Sequence, residues 1–137
     1  LRIKVTGLVE EGNPFSVVVK GEFEVEIAAE NLCDNISKKL VRQCLHIPSS
    51  TNKKIKTVAW CTGGGQGYIE LAAEQGIDAF ISGEVSEQTA HIAREMDIHY
   101  FAAGHHATER YGVKCVGEHL AKEFSLDVTF IDIDNPA

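Results

Sequence analysis

The chain has 137 residues, which suits one domain of ordinary size, and 44% are hydrophobic, enough to build a real core. The formal net charge of -7 argues against nucleic-acid binding, because phosphate contacts need clustered Lys and Arg. The longest basic cluster, Lys53, Lys54 and Lys56, falls in a predicted turn and reads as a solvated edge. No apolar stretch approaches the ~20 residues of a membrane span. Four cysteines without CxxC spacing read as reduced thiols, which points to the cytoplasm.

Taken in chain order, 1–10 and 15–24 are rich in Val, Ile and Phe and are separated by Gly12, Asn13 and Pro14, which predicts a β-hairpin. Apolar residues Ile27, Leu32, Ile36, Leu40 and Val41 recur at near-helical spacing and predict an amphipathic helix over 26–43. A polar linker follows at 48–52. From there strand and helix alternate. Strands are predicted at 55–61, 78–82, 99–103 and 127–133. Helices are predicted at 68–75, at 86–96 with Ser86 as its cap, and at 105–124 with a break near Gly112. Such alternation predicts an α/β fold whose layered sheet is largely parallel or mixed, preceded by a hairpin and a helix. The chain divides into an insert-like region, 1–52, and an α/β half, 53–137. It opens at Leu1, already inside a strand-like stretch, which predicts either a removed start or a piece of something longer.

In open α/β sheets ligands collect at the carboxyl ends of the strands. Three loops fall there: 62–67, with Gly63, Gly64 and Gly65; 82–88, with Glu84; and 104–109, with His105, His106 and Glu109. A parallel arrangement brings all three to one rim. His105 and Glu109 are four apart, so on a first helical turn they share a face, and an imidazole beside a carboxylate grips a divalent ion. The bland alternative is a surface helix start. His106 points elsewhere on that helix and is a candidate acid, base or outer-sphere group. Glu84 is either a cavity carboxylate or a helix-start residue. Two ligands do not complete a site, and His46, His91, His99 and His119 read as surface or core histidines. Gly63, Gly64 and Gly65 invite a nucleotide reading through backbone N–H groups, but neither a Walker loop nor a dinucleotide frame fits. Cys61 reads as a buried structural thiol.

Four segments together resemble one family. They are 58–65 (VAWCTGGG), 78–84 (DAFISGE), 103–109 (AGHHATE) and 130–137 (FIDIDNPA). In this order they are similar to the YbgI-like branch of the NIF-three-like family, the GTP cyclohydrolase I type 2 homologues. The resemblance is close from about Ile55 onward and fainter before it. It implies two divalent metal ions per intact subunit (Zn, Mn, Fe or Mg) and a ring-shaped homohexamer. It also implies that His105 and Glu109 are metal ligands, the remaining ligands belonging to an N-terminal half with no counterpart here. A paired metal site suits hydrolysis of a nucleotide-like or phosphorylated small molecule, with Glu84 and His106 as catalytic candidates and His106 shuttling the proton. The alternative is a ring protein that binds metal or a partner and catalyses nothing.

Overall fold

The computed structural model describes residues 2–136. Its strands are β1 (Ile3–Leu8), β2 (Val19–Ile27), β3 (Leu45–Ile47), β4 (Ile55–Trp60), β5 (Ala79–Ser82) and β6 (His99–Ala102). Its helices are α1 (Ala29–Leu40), α2 (Ile69–Glu74), α3 (Glu87–Glu95) and α4 (His105–Phe124), with a 3-10 turn at Gln66–Tyr68 leading into α2. The six strands form one mixed sheet in the order β1-β2-β4-β5-β6-β3. Pairs β4/β5 and β5/β6 are parallel, and the other pairs are antiparallel. The expected α/β class is therefore present, and the hairpin continues the sheet through β2 and β4.

Side chains alternate across a strand, so the sheet has two faces, and each is covered. On one face Phe80 and Tyr100 stack at 5.9 Å and meet Ile69 and Ala72 of α2 and Ala93 of α3. On the other, Val58, Ala79 and Phe101 pack with Phe23 and with Ala29 and Leu32 of α1. All four residues of β6 are buried for this reason. The α3 N-terminus is closed by a capping box: Ser86 Oγ accepts from the Thr89 N–H, and the Ser86 N–H donates to Thr89 Oγ1. Ser86 thus caps the helix as its sequence position predicts.

Two expectations need correction. Residues 127–133 form no strand. Three-residue β3, which the sequence reading passed over inside the 44–47 stretch, holds the place beside β6. Strand-forming residues need a neighbouring strand to pair with, and the tail lies along α4 instead. There Lys114 Nζ stands 5.9 Å from the Phe130 ring centroid and Arg110 pairs with Asp132 at 3.1 Å. Helix α4 also runs unbroken through Gly112. Beyond its first turn α4 buries little: Ala107 is its single buried residue, while Val113, Val116, Leu120 and Phe124 are exposed, as are Leu126, Val128, Ile131 and Ile133 of the tail.

Candidate metal centre

The three rim loops meet, and backbone hydrogen bonds join them beyond the strand ends. The Gly83 N–H donates to Gly63 O at 2.9 Å and the Gly104 N–H donates to Gly83 O at 3.0 Å. Gly83 has no room for a side chain: a Cβ there would stand 2.7 Å from Gly63 O and 2.8 Å from His105 Cα. Close packing at this glycine brings the α4 N-terminus against the glycine loop.

On this platform His105 lies between two carboxylates. Its Nδ1 is 2.5 Å from Glu84 Oε1, and its Nε2 is 3.1 Å from Glu109 Oε2. Glu84 also accepts from Gln66 Nε2 through Oε2, at 3.2 Å. The buried Tyr100 hydroxyl donates to the Glu84 carbonyl, which ties the loop to the core. The hydrogen bond that His105 donates to Glu84, with the charges of Glu109 and Glu84, raises the His105 pKa. The bond from His105, helped by Gln66, lowers that of Glu84. The side chains of Glu84, His105 and Glu109 are 43%, 39% and 52% exposed, so an ion arriving from solvent can reach them.

The glycines serve this cluster. Gly63 has φ +60°, and a Cβ on it would press into the Glu109 carboxylate and stand 3.1 Å from His105 Nε2. A Cβ on Gly64 would stand 3.3 Å from Glu84 Oε2, and one on Gly65 would run into the Cys61 sulfur. The loop does not present a phosphate cradle. The Gly63 N–H already donates to Thr108 Oγ1, and the Gly65 N–H to Gly63 O and Ser82 Oγ. An anion at this spot would also face the carboxylates of Glu84 and Glu109.

The donor set suits a cation. His105 Nε2 and Glu109 Oε2 sit at a separation that two ligands of one divalent ion can adopt, and Glu84 Oε1 faces the other ring nitrogen. Among the described residues no group of three or more His, Cys, Asp or Glu side chains is arranged to hold an ion. His106 does not join the cluster. It lines a separate cleft with Leu40, Arg42, Arg110 and Asp132, its Nε2 buried without a hydrogen-bond partner among the described residues and 3.9 Å from Asp132 Oδ1.

Of the other histidines, His99 is fully buried, its Nδ1 accepting from the Ser49 N–H and its Nε2 2.7 Å from Lys53 O. His46 stacks on Phe101 at 4.6 Å and meets His99 Nδ1 at 3.1 Å. Both are structural. Cys61 is buried with its thiol pushed up by burial, and it pairs with Ser82 Oγ at 3.6 Å. Gln66 escaped the sequence reading. Its position inside the glycine loop was visible, but nothing in the spacing ties it to Glu84, eighteen residues on.

Comparison with known proteins points to one family. The family model described as Duf34/NIF3 (NGG1p interacting factor 3) matches residues 6–136. A GTP cyclohydrolase 1 type 2 homolog of Vibrio cholerae is 60% identical over 127 residues, covering 92% of this chain and 50% of that protein. One of Yersinia pestis is 55% identical over 137 residues, covering 100% and 53%. The chain therefore spans about half the length of the curated relatives it matches. The solved structure of protein ybgI, described as of unknown function, superposes with a TM-score of 0.90 at 47% identity, over 98% of this chain and 53% of that one. No helix among the described residues is long and apolar enough to cross a membrane. With its mixed α/β sheet, its match along nearly the whole length and its close curated relatives, the chain belongs to the Duf34/NIF3 family.

Proposed function

We propose that this chain contributes half of a dinuclear metal centre in a metal-dependent hydrolase acting on a nucleotide-like or phosphorylated small molecule. The observation that carries the reading is the pair of His105 Nε2 and Glu109 Oε2, 3.1 Å apart beneath Gly63, in a loop whose glycine at that position leaves the space open. A bound divalent ion of this kind supplies polarisation of a substrate oxygen and acidification of bound water. The chain's own part is to hold two donors on one helical turn and to wall the space with Gly63, Gly64 and Gly83. An imidazole and carboxylate set suits Zn, Fe and Mn better than Mg, which prefers oxygen donors, and the metal's identity belongs to the complete site. His106 is the candidate acid–base group; its cleft with Asp132 and Arg110 lies on another flank of the same turn.

The relatives' shared name, GTP cyclohydrolase 1 type 2 homolog, supports a small-molecule hydrolase and fixes no substrate. A homo-oligomer, a hexamer by resemblance, is part of the same proposal, and so is the cytoplasm, where the four free thiols remain reduced. The second reading, a metal- or partner-binding ring protein without turnover, is favoured by the high exposure of the donors.

Elemental analysis after gel filtration tests the metal reading. This chain, with two donors, leaves the column with little metal, while a relative of full length retains about two ions per subunit. Stoichiometric, tightly held metal in the 137-residue chain overturns the two-ligand reading. Turnover of nucleotides or phosphoesters by the full-length relative, lost on changing the residue matching His105 to Ala with the ring intact, selects the hydrolase. Loss of the ring with no turnover selects the second reading.

A further inference from the structure

We propose that Glu84 is a positioning residue: its carboxylate keeps the imidazole proton of His105 on Nδ1, so that Nε2 is the nitrogen turned to the open side beside Glu109, and Gln66 holds Glu84 in that pose. The proposal deepens the metal reading and rests on it for its purpose, though not for its geometry.

A neutral imidazole has one N–H to give, and here two carboxylates compete for it. The contest is unequal. Glu84 Oε1 is 2.5 Å from Nδ1, against 3.1 Å for Glu109 Oε2 from Nε2. Glu84 is also held from two other directions. Its carbonyl accepts from the Tyr100 hydroxyl, whose ring is fully buried, and its Oε2 accepts from Gln66 Nε2. Gly64 packs flat against the same carboxylate. Glu109 is half exposed and, among the described residues, pairs with His105 alone, so it can turn toward an ion.

The Gln66 amide shows the direction of this chain. Its Oε1 is buried without a hydrogen-bond partner among the described residues, while its Nε2 faces Glu84. The reverse orientation would set an amide oxygen against a carboxylate, which is the worse arrangement. The sequence Gln66–Glu84–His105 is thus an ordered donor–acceptor relay that ends at Nε2, the ring nitrogen facing Glu109. Both Glu84 oxygens are engaged, which suits orientation better than proton abstraction. It also gives the glycine loop a purpose: Gly64 and Gln66 belong to the wall that fixes Glu84.

The test uses the full 137-residue chain labelled with ¹⁵N-histidine. At a pH high enough for a neutral ring, His105 carries its proton on Nδ1. Glu84→Ala moves it to Nε2, the form that isolated histidine prefers. Glu84→Gln keeps it on Nδ1, because the new amide oxygen accepts that bond while the Gln66 amide turns over to match. With Zn²⁺ alone as probe at neutral pH, the Nε2 signal shifts, and Glu84→Ala raises the Zn²⁺ concentration needed by about 10- to 100-fold. Glu109→Gln weakens Zn²⁺ binding but leaves the proton on Nδ1. A wild-type ring protonated at Nε2, or one unchanged in Glu84→Ala, overturns the proposal. No Zn²⁺ response in any form, with the proton placement as stated, overturns the metal reading and leaves the positioning role standing. Unaltered amide spectra of the core around Tyr100 show that the variants fold.

Discussion

Gly63→Ala separates the stability of the loop from its use. The substitution acts in two ways. The backbone at φ +60° disfavours any Cβ, a strain of about 1–2 kcal/mol. The new methyl would also press into the Glu109 carboxylate, with Cδ at 3.0 Å and His105 Nε2 at 3.1 Å. Because Glu109 is a flexible side chain 52% exposed to solvent, it turns aside at little cost to folding. The fold should therefore lose only the backbone term, which for a chain of this length lowers Tm by roughly 3–8 °C. Gly76→Ala is the control: φ is +71° and nothing lies within 4 Å of its Cβ, so it carries the strain without the clash. The two variants should have similar denaturant midpoints, while only Gly63→Ala loses Zn²⁺ response at the His105 ring, by about tenfold or more once one of two donors is displaced. Equal Zn²⁺ response in wild type and Gly63→Ala would refute the reasoning. A Gly63→Ala chain far less stable than Gly76→Ala would show that Glu109 cannot move.

Three further outcomes follow from the loop and core contacts. Asp97 accepts hydrogen bonds from Ser50 Oγ, the Thr51 N–H and Thr51 Oγ1, and these hold its pKa near about 2, below the 3.8 of a free carboxyl. Its stabilisation is present above pH ~4 and is lost as pH falls through the folded value of about 2, so Asp97→Asn should cost roughly 1 kcal/mol at pH 7 and little below that value in urea titrations. The positive φ of 52° at this position suits Asn, so the backbone does not confound the comparison. His99→Ala strips the Ser49 N–H and the Lys53 carbonyl of their partner and leaves a cavity, a loss of about 3 kcal/mol by chemical denaturation. Tyr100→Phe removes the donor to the Glu84 carbonyl, costing about 1–2 kcal/mol and loosening the 83–85 loop in amide hydrogen exchange.

Much of this was written locally in the chain. The parallel β4, β5 and β6 show as short apolar runs because both faces of that sheet region are covered, and Ser86 shows as a cap because its chemistry acts within one turn. His105 and Glu109 were legible together because helical geometry relates positions four apart. The link from Glu84 to His105 was not legible, since no local rule connects loops 21 residues apart. The tail 127–133 has strand chemistry but no strand neighbour, and β3 has a neighbour but only three residues of pattern. Propensity describes what a segment can do; the partner that decides lies elsewhere in the chain.

The exposed side of α4 and its tail governs how this chain behaves in solution. A net charge of -7 spreads repulsion around each molecule, while Val113, Val116, Phe124, Ile131 and Ile133 offer apolar surface to water. At low ionic strength the repulsion reaches about 10 Å or more and keeps such surfaces apart. Added sulfate or phosphate shortens that range and at the same time strengthens the drive to hide apolar area. The two changes act in the same direction, so this acidic chain is better kept dispersed in dilute buffer than in concentrated salt of this kind.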